Sequence, residues 1–230
     1  MRRSLAELTD VAEPAWPLVQ GWIAEATNQV EVLPPAATRA DTLSGLQVTL
    51  WSALGAIAYE TGGLLVDHGW VRVLGSGHPR LPRELIGWNQ QCLGPRERPY
   101  WLVADDVIGG FYALDVIAWG TAHVHYFAPD NLAWEDTGLG YGAFVEWLLT
   151  GDLDGYYADY RWSGWQAEVE GVVGDRAYSI APPPIAKDAP YAQRSRQLVP
   201  VAGLYALYQD LGRQLADVAD GDWFVLRFKD

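Results

Sequence analysis

Residues 100–128, YWLVADDVIGGFYALDVIAWGTAHVHYFA, decide the architecture. Three β-rich runs, Tyr100 to Ala104, Gly110 to Ala118 and His123 to Phe127, are separated by turns at Asp105 to Gly109 and Trp119 to Ala122. Connections this short exclude parallel crossovers and predict an antiparallel meander. Asp105 and Asp106 before Gly109 and Gly110 suit a tight turn, because Asp bonds its own backbone and Gly accepts positive φ. Alternation of Phe111, Ala113 and Asp115 with Tyr112, Leu114 and Val116 predicts one covered and one partly covered face.

Working outward, Trp134 opens a fourth short strand, and a helix begins near Tyr141 with Phe144, Trp147 and Leu148 on one face and Gly151 at its end. Leu153 to Tyr160 reads as another short helix. Upstream, Leu64 to Val66 and Trp70 to Leu74 read as two strands joined by a turn at Asp67, His68 and Gly69, followed by a short helix from Glu84 to Gln90. Pro14 and Pro17 start a helix carrying Leu18, Trp22, Ile23 and Ala26, which ends at Val32 to Pro35. A second helix is predicted from Thr42, capped by Asp41, through Leu43, Leu46, Leu50, Leu54 and Ile57 to Gly62. Downstream, Ala181 to Ala192 with its three prolines reads as an extended connector. A helix from Pro200 to Val218 and a strand from Trp223 to Phe228 close the chain. The expected fold is α+β, a mostly antiparallel sheet packed against helices.

Charge is concentrated. Of a net −13, residues 99–174 carry −11, with Arg161 as their one basic side chain. A chain this acidic does not grip phosphate backbones or anionic lipid, so neither nucleic acid nor membrane is the expected partner. The single Cys92 excludes an intrachain disulfide or a multi-cysteine metal site and fits a reducing compartment. Glu7 and Asp10 interrupt any export-signal pattern, and no apolar run reaches the ~18 residues of a membrane span. The cytoplasm is the expected location.

The segments ADDVIGGFYALD (104–115), HVHYFAPDNLAWED (123–136), GYGAFVEWLLTGDL (140–153) and YYADYRWSGW (156–165), behind Leu81, Pro82 and Leu85, resemble a bacterial family of unknown function and, more distantly, the SUKH superfamily. The resemblance covers roughly residues 60–185. It implies a sheet backed by helices and an immunity-type role in which the protein binds and neutralises a toxin; as an analogy of fold it assigns no residue a role. The division it suggests is one domain, 1–230, with a helical part at 1–62, the SUKH-like core at 63–178, the Pro-rich connector at 179–199 and a C-terminal helix and strand at 200–230.

No set of residues declares a reaction, and no cofactor is expected. His123 and His125, two apart on a strand, share a face and could chelate a metal with Asp130 or Glu135, although cross-strand packing explains them more simply. The pairs Asp105/Asp106 and Asp152/Asp154 could serve acid and base chemistry, but both flank glycines, where turn and cap duty is commoner. The GLGYG run at 138–142 has the wrong spacing and context for a dinucleotide fingerprint. GSGHP at 75–79 and Ser163 lack the surroundings of a nucleophile elbow. Cys92 reads as an inert thiol. Arg161, between Tyr160 and Trp162, is expected to pair with a carboxylate and stack on a ring.

The preferred expectation is a non-catalytic protein whose outward-facing acidic, aromatic surface docks a basic partner such as a toxin domain. It draws on Asp105, Asp106, Asp130, Trp134, Glu135, Asp136, Arg161, Trp162 and Trp165. The alternatives are a metal- or small-ligand-binding hydrolase with a Trp-lined cleft at His123 and His125, and a homodimer formed through surplus aromatic rings.

Overall fold

The computed structural model describes residues 2–94, 98–186 and 190–215. Its centre is a seven-stranded antiparallel sheet whose strands lie in chain order: β1 (Val30–Leu33), β2 (Gly63–Val66), β3 (Val71–Leu74), β4 (Tyr100–Asp106), β5 (Phe111–Asp115), β6 (Val124–Ala128) and β7 (Ala133–Leu139). The α+β expectation and the meander hold. At the β2–β3 turn Asp67 and His68 take φ of 54° and 59° and Gly69 takes 85°, a left-handed run that reverses the chain within four residues. β2 and β3 are buried along their whole length and read as continuous apolar runs, interrupted only by Arg72.

Nine helices occupy the described residues: α1 (Leu5–Thr9), α2 (Trp16–Ala24), α3 (Arg39–Leu46), α4 (Ala53–Glu60), α5 (Leu85–Leu93), α6 (Tyr141–Thr150), α7 (Leu153–Tyr156), α8 (Trp165–Glu170) and α9 (Val201–Leu215). A separate hairpin pairs β8 (Arg176–Ala181) with β9 (Ser195–Pro200). Residues 179–199, expected as a connector, therefore include the end of β8 and most of β9.

Several expectations need correction. The helix expected over 42–61 is two helices, because Gln47 turns left-handed at φ 59° and ends α3. Asp41 lies inside the first turn of α3, where its charge meets the positive helix end, and the cap position belongs to Thr38. Residues 30–33 form the edge strand β1. Helix α1, with a reciprocal Ser4–Glu7 capping box, was not anticipated. The helix expected over 153–160 is α7 followed by a one-turn 3₁₀ segment, Ala158–Tyr160. The end of the last helix beyond Leu215 and the strand at Trp223 to Phe228 lie outside the described residues.

Both sheet faces are covered. Phe111 meets Tyr205 of α9 on one face, with ring centres 4.9 Å apart, while Tyr112 meets Phe144 of α6 on the other at 4.8 Å. Trp70, fully buried before β3, packs against Tyr157, Trp162 and Trp165. Burying one such ring is worth about 4 to 6 kcal/mol of transfer free energy. Among the described residues no helix is long and apolar enough to cross a membrane.

Candidate functional site

Strand parity sends Asp105 and Asp106 to opposite faces of the sheet, and both are 0% exposed. Register places Arg72 of β3 directly across from Asp105. Its Nε and Nη2 donate to the two carboxylate oxygens at 3.1 and 2.7 Å, and Arg83 Nη2 donates to the same pair at 2.9 and 3.0 Å. The two guanidiniums continue outward, Arg72 Nη1 to the Arg176 carbonyl (2.7 Å) and Arg83 Nε to the Gly174 carbonyl (2.6 Å). Asp105 is thus the knot that ties β3, β4, the entry to α5 and the start of β8. Buried pairs of this kind hold geometry, since removing either partner strands a charge.

On the other face Asp106 Oδ2 accepts from the Tyr126 hydroxyl at 2.7 Å and the Tyr157 hydroxyl at 3.4 Å, while Oδ1 accepts from the Gly110 and Ile108 amides at 2.7 and 3.1 Å. The Tyr157 and Tyr112 hydroxyls are 2.6 Å apart. Burial pushes Asp106 up to about 6 even against the Tyr126 and Gly110 donors. Burial likewise raises Tyr112, Tyr126 and Tyr157 well above the usual phenol range, so all three remain neutral donors. Gly110 is required here: a Cβ would overlap the Asp106 carboxylate and the Tyr126 hydroxyl.

Arg161 sits in a cage. Its side chain is 7% exposed, pairs with Asp67 and Asp154, and lies 4.0 Å over Trp165 and 5.1 Å from Trp70. The expectation of a carboxylate partner and a stacked ring is met. Trp162 and Trp165 are buried, the former under the Arg196 guanidinium at 4.1 Å.

The histidines do not converge. His123 Nδ1 faces Asp136 at 3.0 Å, whereas His125 stacks on Trp119 at 4.0 Å and bonds the Thr121 hydroxyl at 2.9 Å. Among the described residues no group of three His, Cys, Asp or Glu side chains could hold a metal. Asp152 caps α7 by accepting from the Gly155 amide at 2.8 Å, and Asp154 holds Arg161, so this pair does structural duty. Asp115 is buried, but the amides of Trp119, Thr121, Ala122 and Ala118 outweigh that burial and hold it down to about 2. Its carboxylate thereby organises the 116–122 loop.

The nine residues expected to form one docking surface separate. Asp105, Asp106, Arg161, Trp162 and Trp165 are interior, so the expectation of a single outward-facing site fails for them. Trp134 is half-buried between Tyr100, Trp119 and Phe127. At the surface remain Asp130, whose carboxylate accepts from the Tyr160 hydroxyl at 2.8 Å, and the exposed Glu135 and Asp136, on opposite faces of β7. Tyr156, 42% exposed at the end of α7, meets Tyr126 with ring centres 6.1 Å apart; burial, the buried Asp106 and the charges of Glu135 and Asp130 push its phenol up to about 12. Sequence reasoning missed Tyr156, Tyr126 and Arg72. An arginine inside the apolar run VRVL was the one available signal for the buried knot.

Residues 5–204 match the family model described as "Protein of unknown function DUF2625". Among curated proteins, the "Putative uncharacterized protein YbfG" of Escherichia coli (strain K12) is 43% identical over 185 residues, covering 78% of this chain and 84% of that protein. An "Uncharacterized protein" of Haemophilus influenzae is 36% identical over 186 residues, covering 78% of this chain and 82% of its own. No solved structure matches.

Proposed function

The chain belongs to the DUF2625 family, and we propose that it is a non-catalytic cytoplasmic protein that holds a basic protein partner on an acidic, tyrosine-bearing face. One observation carries this reading: the exposed Tyr156 meets Tyr126 edge-on with ring centres 6.1 Å apart, Glu135 is the cross-strand neighbour of Tyr126, and Asp130 is bonded to Tyr160 four residues further on, in a stretch, residues 99–160, that contains no Lys or Arg. The nearest cation in sequence, Arg161, is enclosed by its own carboxylates and rings. Asp159, in the 3₁₀ turn that carries Tyr160, is exposed as well. Carboxylates at such a rim steer encounter, and a half-exposed tyrosine offers a planar surface on which a guanidinium stacks.

The finer reading, an immunity-type protein whose partner is a toxin domain, rests on the SUKH resemblance of the blocks at 104–165. A basic catalytic domain that engages nucleic acid has the charge this face would attract.

The test is a titration of ¹⁵N-labelled protein with a hexa-arginine peptide at about 20 and about 150 mM salt. Saturable shifts confined to residues 130–135 and 153–160, weakened by salt and by the double change Asp130→Asn/Glu135→Gln, are expected. Shifts spread over the whole surface, or indifferent to the double change, would overturn the proposal.

A further inference from the structure

On the sheet face opposite Tyr156, a cleft of about 440 Å³ opens between the end of α5, the start of β4 and α9. That volume falls within the range of small-molecule sites. Its wall on the α9 side is one helical stripe, in which Tyr205, Gln209 and Arg213 recur every fourth residue, with Ala202 and Ala206 beside them. Cys92 and Leu93 of α5 and Tyr100 of β4 face that stripe across the cleft.

The lining holds one buried hydrogen-bond donor with no partner and several donors with capacity to spare. The Tyr100 and Tyr205 hydroxyls are 3.2 Å apart, so whichever donates, one of the two hydrogens is left over. Gln209 Nε2 is buried with no hydrogen-bond partner. The Arg213 guanidinium, 76% exposed at the rim, engages Asp210 through Nη2 and keeps further N–H groups. Among the described lining residues there is no carboxylate, in a chain whose net charge is −13. A buried donor is normally matched, and the one at Gln209 Nε2, which lines this opening, can be met by an acceptor that enters the cleft.

We propose that this cleft binds a small organic carboxylate with an apolar body. Neutral amide and hydroxyl donors, with a single guanidinium that Asp210 already partners, suit one negative charge at most, where a phosphate monoester would bring nearly two. Leu93, the two alanines and the tyrosine rings supply apolar wall for the body. The Tyr100 ring is held by stacking on Trp119, with centres 5.2 Å apart and planes 17° from parallel. Burial pushes the Cys92 thiol up to about 12, which keeps it protonated and a poor nucleophile.

Benzoate is the probe and benzyl alcohol its uncharged counterpart, each titrated into ¹⁵N-labelled full-length protein. Saturable benzoate shifts at residues 91–93 and 202–213 are expected, with a dissociation constant of about 1 mM. Benzyl alcohol should bind about tenfold more weakly or worse, and Gln209→Leu and Arg213→Met should each weaken benzoate about fivefold. Arg213→Met changes an exposed side chain, so it reports on binding even if Gln209→Leu perturbs the fold. Absence of saturation below about 20 mM benzoate, equal binding of the alcohol, or indifference to Arg213→Met overturns the assignment.

Discussion

Replacing Asp106 by Asn makes the stability difference between variant and parent depend on pH in a predictable direction. Burial raises the folded-state pKa of Asp106 to about 6, against about 3.9 in an unfolded chain. The folded state therefore holds this proton more tightly. Below about pH 4 both states are protonated and the group contributes nothing to pH dependence. As pH rises from about 4 to about 6 the unfolded chain ionises first and stability is lost. Two units at 1.36 kcal/mol each amount to about 3 kcal/mol, fully lost above pH 6. Asn keeps an acceptor for the Gly110 amide but cannot accept from the Tyr126 hydroxyl with its nitrogen, a pH-independent loss of about 1 kcal/mol. Asp106→Asn should thus be less stable than the parent by about 1 kcal/mol near pH 4 and more stable by about 2 near pH 7. Urea unfolding of both proteins at pH 4, 5, 6 and 7 measures this, because titrations common to both cancel in the difference. A difference that stays constant over that window, or that moves against the variant as pH rises, would refute the account of Asp106 as a carboxyl ionised at the expense of the fold.

Arg161→Lys should lower stability by about 1 to 3 kcal/mol, since a lysine cannot bridge Asp67 and Asp154 while stacking on Trp165. With about 2.1 cal/mol/K of unfolding entropy per residue, 2 kcal/mol corresponds to a fall in Tm of about 4 °C by calorimetry; an unchanged Tm with lost binding of a basic peptide would move Arg161 from the frame to the recognition surface. Asp115→Ala removes the acceptor for the Trp119, Thr121 and Ala122 amides. Hydrogen exchange at those three amides should accelerate about tenfold or more at neutral pH. In the parent, where these donors depress the pKa to about 2, their protection should survive to about pH 4 and fade only as pH drops toward 2.

The meander was legible because alternation and Gly- or Asp-bearing turns are local signals, and strands joined in sequence by short links have few other arrangements. The helix pair α3 and α4 was not. Leu43, Leu46, Leu50, Leu54 and Ile57 keep helical spacing across the break at Gln47, because Leu50, in the link, packs on Leu8 and Leu43 just as a helical residue would. The apolar period therefore records what is buried and not whether the backbone is continuous. The buried polar sites were illegible for a related reason. Adjacent aspartates in a turn-like context read as solvent-facing, and only the pairing of β3 with β4 brings Arg72, 33 residues away in sequence, across from Asp105. Gly110 was read as a turn residue, when its missing side chain is what admits the Asp106 carboxylate.

That long-range pairing also changes what the −11 of residues 99–174 means. Of the twelve carboxylates in that third, Asp105, Asp106 and Asp115 are buried. The cations that offset Asp105, Arg72 and Arg83, come from the preceding third, so counting charge by sequence segment assigns its neutralisation to the wrong place, while Asp106 is held by hydroxyl and amide donors. Asp115 spends its charge on backbone amides. The remaining nine lie outside the core, and Asp154 is the one that returns to Arg161. The negative field at the surface is consequently weaker than the segment total and displaced from β4 toward the β6–β7 turn and α7. On the proposed reading a basic partner would meet the exposed Tyr156, while Asp105 and Asp106, the aspartates most conspicuous in the sequence, lie inside the molecule on opposite faces of the sheet and hold it together.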